Sequence, residues 1–351
     1  MAKKAVDEAG KSKVQLALEK LDKAYGIGTV LTLDGKTSGN YEVISSGSLG
    51  FDYITLGVGG FVKGKMYELM GWEGTGKSTI CGHTVASCQA KGGVALYIDG
   101  EHAVDKQYFQ KLGVDTNKMM IAQPSHGEEG FQIALDLIST GEIDLVIIDS
   151  DSSLIPKKVL DGDVGDSSIG KKAVLNSNAY PKLKSALSQF NTCVIVISQY
   201  REKIGVMFGN PTTTQGGHAL KFYSDCRIEI SRSLAKDGDV TYGNTTKVKA
   251  VKNKMSPPYR ISQFDIVYGE GIDVIAELIV LASEYEIIKK SGSWYSYGEV
   301  KLGQGTDGVT KLLTDNPELY DEIREKVINK IRNTEDLPVE ITEEDDDNDK
   351  I

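Results

Sequence analysis

Short, strongly apolar runs alternate with helix-period stretches through the middle of the chain. The runs are residues 66–70, 94–99, 119–122, 145–149 and 193–198. Runs of this length without a polar face suit strands covered on both sides, and the stretches between them suit the covering helices. After the first run, Ile80, Cys81, Thr84, Val85 and Cys88 recur at helical spacing, and farther on Phe131, Ala134, Leu135 and Ile138 fall at i, i+3, i+4 and i+7. An α/β fold with a mostly parallel central sheet is therefore predicted.

Beyond Gln199 the texture changes to strands without long helices, around 227–231, 247–251 and 261–268, which predicts an antiparallel extension of the sheet. Residues 273–334 read as a small α+β domain: a helix over 275–281, the aromatic segment Trp294-Tyr295-Ser296-Tyr297, and a closing helix through Ile323, Val327 and Ile331. Residues 1–37 form a separate arm, a lysine-rich helix with Val14, Leu16, Leu18 and Leu21 followed by the alternating stretch 27–33. Elements this small cannot bury themselves, so the arm must pack on the main domain or on a neighbouring subunit. No internal repeat is visible, and 38–272 is left as the core domain.

With 351 residues and 40% hydrophobic content the chain can bury one sizeable core and a smaller companion. No apolar run approaches the roughly 18 residues of a membrane span, and the N-terminus lacks the apolar stretch of a signal peptide, so a cytoplasmic location is expected. The four cysteines, Cys81, Cys88, Cys193 and Cys226, sit in apolar patterns and read as reduced core thiols. Neither they nor the four scattered histidines have metal-ligand spacing. Residues 335–351 hold nine acids against one lysine, a local charge of −8 out of −10 that leaves the remaining body at −2. Such a block is predicted to be a disordered, solvated tail.

Candidate chemistry starts with Gly71-Trp72-Glu73-Gly74-Thr75-Gly76-Lys77-Ser78, which fills every position of the phosphate-loop pattern G-x-x-x-x-G-K-[ST]. Glycines let consecutive backbone N–H groups converge on phosphate oxygens, Lys77 adds a point charge, and Ser78 can ligate Mg²⁺. The strand before it and the helix after it supply the context the pattern requires. Leu145-Val146-Ile147-Ile148-Asp149 is an apolar strand ending in an acid, the second element by which such proteins hold Mg²⁺, so Asp149 joins Ser78 as a metal candidate. The strand ending at Asp99 runs into Glu101, a candidate base for the water that attacks a γ-phosphate; His102 beside it reads as structural. Residues 193–198 deliver Gln199 to the same edge, where its amide can sense a γ-phosphate. The stretch 200–222 that follows, rich in glycine and threonine, is predicted to be a mobile binding loop tied to nucleotide state.

These residues resemble the bacterial RecA recombinase family. Lys203-Ile204-Gly205-Val206-Met207-Phe208-Gly209-Asn210-Pro211 is similar to that family's second DNA-binding loop. Asp99-Gly100-Glu101-His102-Ala103, Gly165-Asp166-Ser167, Gly217-His218-Ala219-Leu220-Lys221-Phe222-Tyr223, Val251-Lys252-Asn253-Lys254 and Tyr268-Gly269-Glu270-Gly271-Ile272 match in order and spacing, so the resemblance runs from about 15 to 334. It implies a RecA-like phosphate-loop ATPase acting in homologous recombination, DNA repair and the SOS response to DNA damage. Such a protein forms filaments on single-stranded DNA, pairs it with homologous duplex and exchanges strands. By position, the resemblance assigns Lys77, Ser78 and Thr79 to phosphates and Mg²⁺, and Asp105, Tyr108 and Tyr268 to the adenine. It makes Glu101 the base and Gln199 the sensor, with Lys252 and Lys254 reaching ATP on the adjoining subunit. DNA contact falls to two loops, 161–169 and 200–217, with Ile169, Met207 and Phe208 as apolar contacts and Arg201, Asn210, Gly216 and Gly217 on backbone and sugar. The C-terminal domain is implied to gate duplex DNA, and a LexA-like repressor is an implied partner.

Departures from the family pattern are Gly100 for alanine, Glu202 for an apolar residue, His218 for asparagine and Pro181 for arginine. Pro181 removes a DNA-facing cation and is predicted to break its helix. Compensation is expected from Lys171, Lys172, Lys182 or Lys184. The acidic tail serves either solubility or competition with DNA for a basic groove. A small-molecule phosphotransferase would share the octet and Asp149 but needs an arginine-rich lid that the chain lacks. A filament scaffold that binds ATP and hydrolyses it slowly is the other alternative, against which Glu101 argues.

Overall fold

A computed structural model of the chain describes residues 12–25, 30, 41–163, 170–202, 212–214 and 216–342. The chain divides into two compact units, Met1–Tyr41 and Glu42–Ile351. In the first, helix α1 (Lys13–Tyr25) opens on a reciprocal cap: Ser12 N–H donates to Gln15 Oε1 at 2.8 Å and Gln15 N–H to Ser12 Oγ at 3.3 Å. It carries no buried side chain. The alternating stretch 27–33 lies outside the described residues apart from Val30.

The second unit begins with β1 (Val43–Ile44), a π-helical turn Phe51–Thr55, β2 (Phe61–Val62), β3 (Met66–Gly71), α2 (Lys77–Ala90), β4 (Ala95–Asp99), α3 (Lys106–Lys111), β5 (Met120–Ala122), α4 (Gly127–Ile138) and β6 (Leu145–Asp149). It continues through the turn Asp151–Ser153, α5 (Lys157–Leu160), α6 (Lys171–Phe190), β7 (Cys193–Glu202), β8 (Thr212–Thr214), α7 (Ala219–Tyr223), β9 (Cys226–Asp237), β10 (Val240–Asn253), β11 (Ile261–Val267) and β12 (Gly271–Ile272). Last come α8 (Val274–Glu284), β13 (Lys289–Ser291), β14 (Trp294–Tyr297), β15 (Val300–Gln304), α9 (Gly305–Asp315) and α10 (Pro317–Arg332).

The central sheet runs β12-β11-β10-β9-β3-β7-β6-β4-β5, with β8 attached to β7. Strands β9, β3, β7, β6, β4 and β5 are parallel, and β10, β11 and β12 extend the sheet antiparallel, as the change of texture predicts for 247–251 and 261–268; the stretch 227–231, expected in that extension, lies in β9 and pairs parallel to β3. Alternation sends Tyr67, Leu69, Tyr97, Ile147 and Ile195 into one core with Ile80, Cys81 and Val85 of α2. The intervening Leu96, Ile98, Val146, Ile148, Val194 and Val196 enter a second core with Phe131 of α4 and Tyr180 and Leu183 of α6. Each such aliphatic side chain removed from water contributes about 1.5–3 kcal/mol, so burial of these runs holds the covering helices on the sheet. All four cysteines are buried and free.

A third core joins Leu278, Ala282, Tyr295, Leu302, Val309, Ile323 and Val327 to Leu49 and Ile54 from ahead of β2. The C-terminal elements are thus clamped to the sheet. The buried Glu277 carboxylate accepts from Ser48 Oγ at 2.5 Å and from the N–H groups of Leu49 and Gly50, both at 2.9 Å.

Three sequence expectations are corrected. Helix α6 runs unbroken through Pro181. The missing hydrogen bond costs about 3 kcal/mol, but Leu175, Ala179 and Tyr180 before the proline and Leu183, Ala186 and Leu187 after it are all buried and hold both halves in line. The loop expected over 200–222 is shorter at both ends: residues 200–202 pair with 212–214 and α7 follows, while 203–211 and 215 lie outside the described residues. The start of the acidic tail is paired as well. Ile261 N–H donates to Pro338 O at 3.0 Å and Glu340 N–H to Tyr259 O at 2.9 Å, because backbone groups just ahead of β11 need partners. The remaining tail, 343–351, lies outside the described residues.

Candidate functional site

The carboxyl ends of β3, β4, β6 and β7 meet at one edge, where a parallel sheet presents its ligand crevice. At the end of β3 a Cβ on Gly71 would lie 2.4 Å from the Ile230 carbonyl oxygen of β9, so the strand admits no side chain there. Gly76 takes φ +91°, the left-handed turn that starts α2. Lys77 Nζ folds back into the loop and donates to Gly71 O at 3.0 Å and Trp72 O at 2.7 Å, with Thr75 Oγ1 at 3.4 Å. Its partners are all neutral, and burial pulls its pKa below the usual lysine value. A desolvated cation with neutral partners is poised for an anion.

Asp149 Oδ2 accepts from Ser78 Oγ at 2.7 Å and from Tyr97 Oη at 2.6 Å. Burial raises its pKa above the usual carboxylate value, and Glu101 and Asp99 add to the rise. Tyr97 belongs to the site, yet inside an apolar strand nothing in the sequence marks it. A serine hydroxyl against a carboxylate is a fitting pair for Mg²⁺. Among the described residues no group of three His, Cys, Asp or Glu could hold a metal by itself, so the ion's other ligands would have to come from phosphate and water.

Glu101 and Gln199, 98 residues apart in sequence, are in direct contact: Gln199 Nε2 donates to Glu101 Oε1 at 2.8 Å. Ser150 Oγ donates to the same oxygen at 2.5 Å, a partner the sequence did not single out. Asp99 holds the turn that presents Glu101, accepting from Ala103 N–H at 3.1 Å and Gln123 Nε2 at 3.0 Å. The departure at Gly100 has a local reason, since a Cβ there would come within 2.2 Å of Ser153 Oγ. His102 is exposed, at φ +54°.

Across the crevice Asp105 caps α3, accepting from the N–H groups of Gln107 and Tyr108 at 2.7 and 3.2 Å. Tyr108 Oη and Thr79 Oγ1 share a hydrogen bond at 2.8 Å. Tyr268 Oη donates to Asn244 Oδ1 at 3.1 Å, as does Arg232 at 2.9 Å. Asn244, buried in mid-strand and unsignalled in the sequence, reaches Gly74 O at 3.5 Å. Residues 73–79, Glu101, Asp105, Tyr108, Asp149, Gln199 and Tyr268 together line one cavity of ≈600 Å³. Gly71 and Trp72 stand just behind it, and the Trp72 ring meets Tyr200 edge-on at 6.0 Å.

Lys252 and Lys254 do not line this cavity. Lys252 Nζ donates to Lys221 O at 2.8 Å and Phe222 O at 3.2 Å, and burial with Lys254 and Arg227 nearby pushes its pKa down to about 8. Lys254 reaches Asp225 at 3.4 Å. Arg201 lies on β7 opposite Thr213, and Gly216 and Gly217 pack on α6. Ile169, Met207, Phe208 and Asn210 fall outside the described residues. Of the four lysines near Pro181, Lys184 pairs with Asp225, and Lys172 donates to Leu154 O at 2.6 Å and pairs with Asp151 at 3.5 Å. Lys171 and Lys182, with Lys158, line a second cavity of ≈390 Å³ between α4 and α6.

A model of the RecA N-terminal domain matches residues 12–273, and one of the RecA C-terminal domain matches residues 276–332. The chain belongs to the RecA family. It is 50% identical to Protein RecA of Cytophaga hutchinsonii over 321 residues, 91% of this chain and 90% of that one. Identity to Protein RecA of Aquifex aeolicus is 48% over 318 residues (90% and 92%), and to that of Clostridioides difficile 47% over 324 residues (92% and 93%). RecA membership makes it a recombination and repair protein. Among the described residues no helix is long and apolar enough to cross a membrane.

Proposed function

We propose that this RecA-family chain binds ATP and Mg²⁺ in the cavity behind Lys77 and hydrolyses ATP when assembled as a helical filament of its own copies on single-stranded DNA. Homologous pairing with duplex DNA and strand exchange in the cytoplasm follow from that assembly. The observation that carries the proposal is Glu101, held by Ser150 and Gln199 in the lining of the same cavity as Lys77, Ser78 and Asp149.

Ser78 and Asp149 would hold Mg²⁺, which when bound neutralises phosphate charge. Lys77 and the N–H groups of 74–79 bind the phosphates, and Tyr108 and Tyr268 flank the space for the base. Both donors to Glu101 sit on Oε1, which leaves Oε2 without a donor among the described residues and able to take a proton from water. The Gln199 amide can leave Glu101 for a phosphate oxygen, so base and sensor report to each other. Lys252 and Lys254 would have to exchange their bonds within the chain for ATP on an adjoining subunit. A LexA-like repressor as partner rests on the family resemblance.

The test is ATP turnover titrated with single-stranded DNA at several salt concentrations, with Lys77→Ala as control. Turnover should rise with DNA, weaken with salt and vanish in the control. Turnover indifferent to DNA would overturn the proposal, and filaments on DNA with negligible turnover would favour the slow scaffold.

A further inference from the structure

Two residues beyond Asp149 stands a second buried carboxylate with no part in the chemistry above. Asp151 is 1% exposed. Its Oδ1 accepts from Tyr180 Oη at 2.5 Å and lies 3.5 Å from Lys172 Nζ, and its Oδ2 accepts from Asn176 Nδ2 at 3.1 Å. Residues 172, 176 and 180 follow at helical spacing along one face of α6. Asn176 is fully buried, and its Nδ2 donates a second bond to Gly216 O at 3.1 Å. Both acceptors lack a proton to give, which fixes the orientation of the amide. Its Oδ1 is left without a partner among the described residues.

The backbone at 216 rests directly on this pair. A Cβ on Gly216, at φ +93°, would come within 2.2 Å of Asn176 Nδ2 and 2.7 Å of Asp151 Oδ2. Apolar packing would fill the same space without a leftover acceptor or a desolvated charge, so stability alone does not account for the cluster. What it supplies is a geometric link. Should Gly216 move, Asn176 loses an acceptor and Asp151 must rearrange, and Asp151 is bonded through one peptide to Ser150, the donor to Glu101 Oε1. The line Gly216, Asn176, Asp151, Ser150, Glu101 is continuous in hydrogen bonds and chain, and does not pass through Gln199.

We propose that Asp151 and Asn176 are positioning residues through which the segment Gly216-Gly217 sets the orientation of Ser150, and with it Glu101. A DNA strand seated on that segment is then reported to ATP hydrolysis by a route separate from Gln199. The inference rests on the proposed DNA-stimulated ATPase activity.

Asn176→Leu keeps the volume and removes both donations. Expected are DNA-free turnover and KM for ATP within about twofold of the parent, with the DNA-stimulated kcat lowered about tenfold. Tyr180→Phe, which withdraws one donor from Asp151 and preserves the packing, should lower stimulation about threefold, and it decides the matter if Asn176→Leu does not fold. A merely structural role would lower basal and stimulated rates by the same factor, and that result overturns the inference. So does full stimulation in both variants. A parent that DNA does not stimulate sinks the proposed function itself, whereas a stimulated parent with unaffected variants sinks only this route.

Discussion

Asp149 and Glu277 are both buried carboxylates with raised pKa values, in opposite surroundings. Burial lifts Asp149 above the usual carboxylate range, and it faces a cavity of ≈600 Å³ that also holds Lys77. Its donors are two hydroxyls, free to turn toward another acceptor. Burial pushes Glu277 up to about 7, and it faces packed chain: its donors are one hydroxyl and two backbone N–H groups that the fold fixes. Near it Asp52, pushed up to about 6 by burial, accepts from Ser45 Oγ at 2.5 Å and Ser46 N–H at 2.9 Å. A raised pKa therefore marks burial, and only the open side distinguishes a site for a ligand from a junction between parts of the fold.

The largest effect that sharpens this contrast is expected on the cavity side. Lys77→Ala should cut ATP turnover on the order of a hundredfold or more, while the thermal midpoint without nucleotide holds or rises, because a desolvated ammonium is removed. A midpoint lowered by many degrees would break the comparison. Glu101→Gln should lower DNA-stimulated turnover by about a hundredfold and leave nucleotide affinity, read by a fluorescent analogue, within a few fold. Loss of affinity in parallel would make Glu101 a binding group.

On the junction side the effect is on stability and pH. The folded-state pKa of Glu277 is raised from 4.5 to about 7, so its contribution is fully present below pH 4.5 and lost as pH rises through about 7. Between pH 4 and pH 8 the unfolding free energy of Glu277→Gln should gain on the parent by about 3 kcal/mol, with DNA-stimulated turnover unchanged. A difference that stays flat with pH, measured by denaturant titration, would remove Glu277 from the comparison. The smallest effect belongs to the surface. Alanine at Lys171 or Lys182 should each reduce the slope of log affinity for single-stranded DNA against log salt by about 1. Alanine at Lys184, already paired with Asp225, should leave that slope unchanged.

Local and long-range determinants account for what could be read in advance. The phosphate loop was legible because eight consecutive residues carry both its backbone freedom and its charge. The parallel sheet was legible because strands buried on both faces are written as unbroken apolar runs. Pro181 misled because a local rule about helix interiors is outweighed by six apolar side chains of α6 buried on either side of it. The stretch 200–222 misled because glycine and threonine content does not reveal that residues 200–202 find a partner strand at 212–214.

The amino-acid order by itself determined the α/β class, the phosphate cradle, the two acids at strand ends and the kinship with RecA, all carried by contiguous residues or by periodicity. Only the tertiary structure decided that Ser150 and Gln199 share one oxygen of Glu101, that Tyr97 and Asn244 belong to the site, and that Asp151 touches Gly216 by way of Asn176. Those contacts join residues up to 170 positions apart. They exist because the strand order brings distant chain ends to one edge, and no local pattern encodes that adjacency.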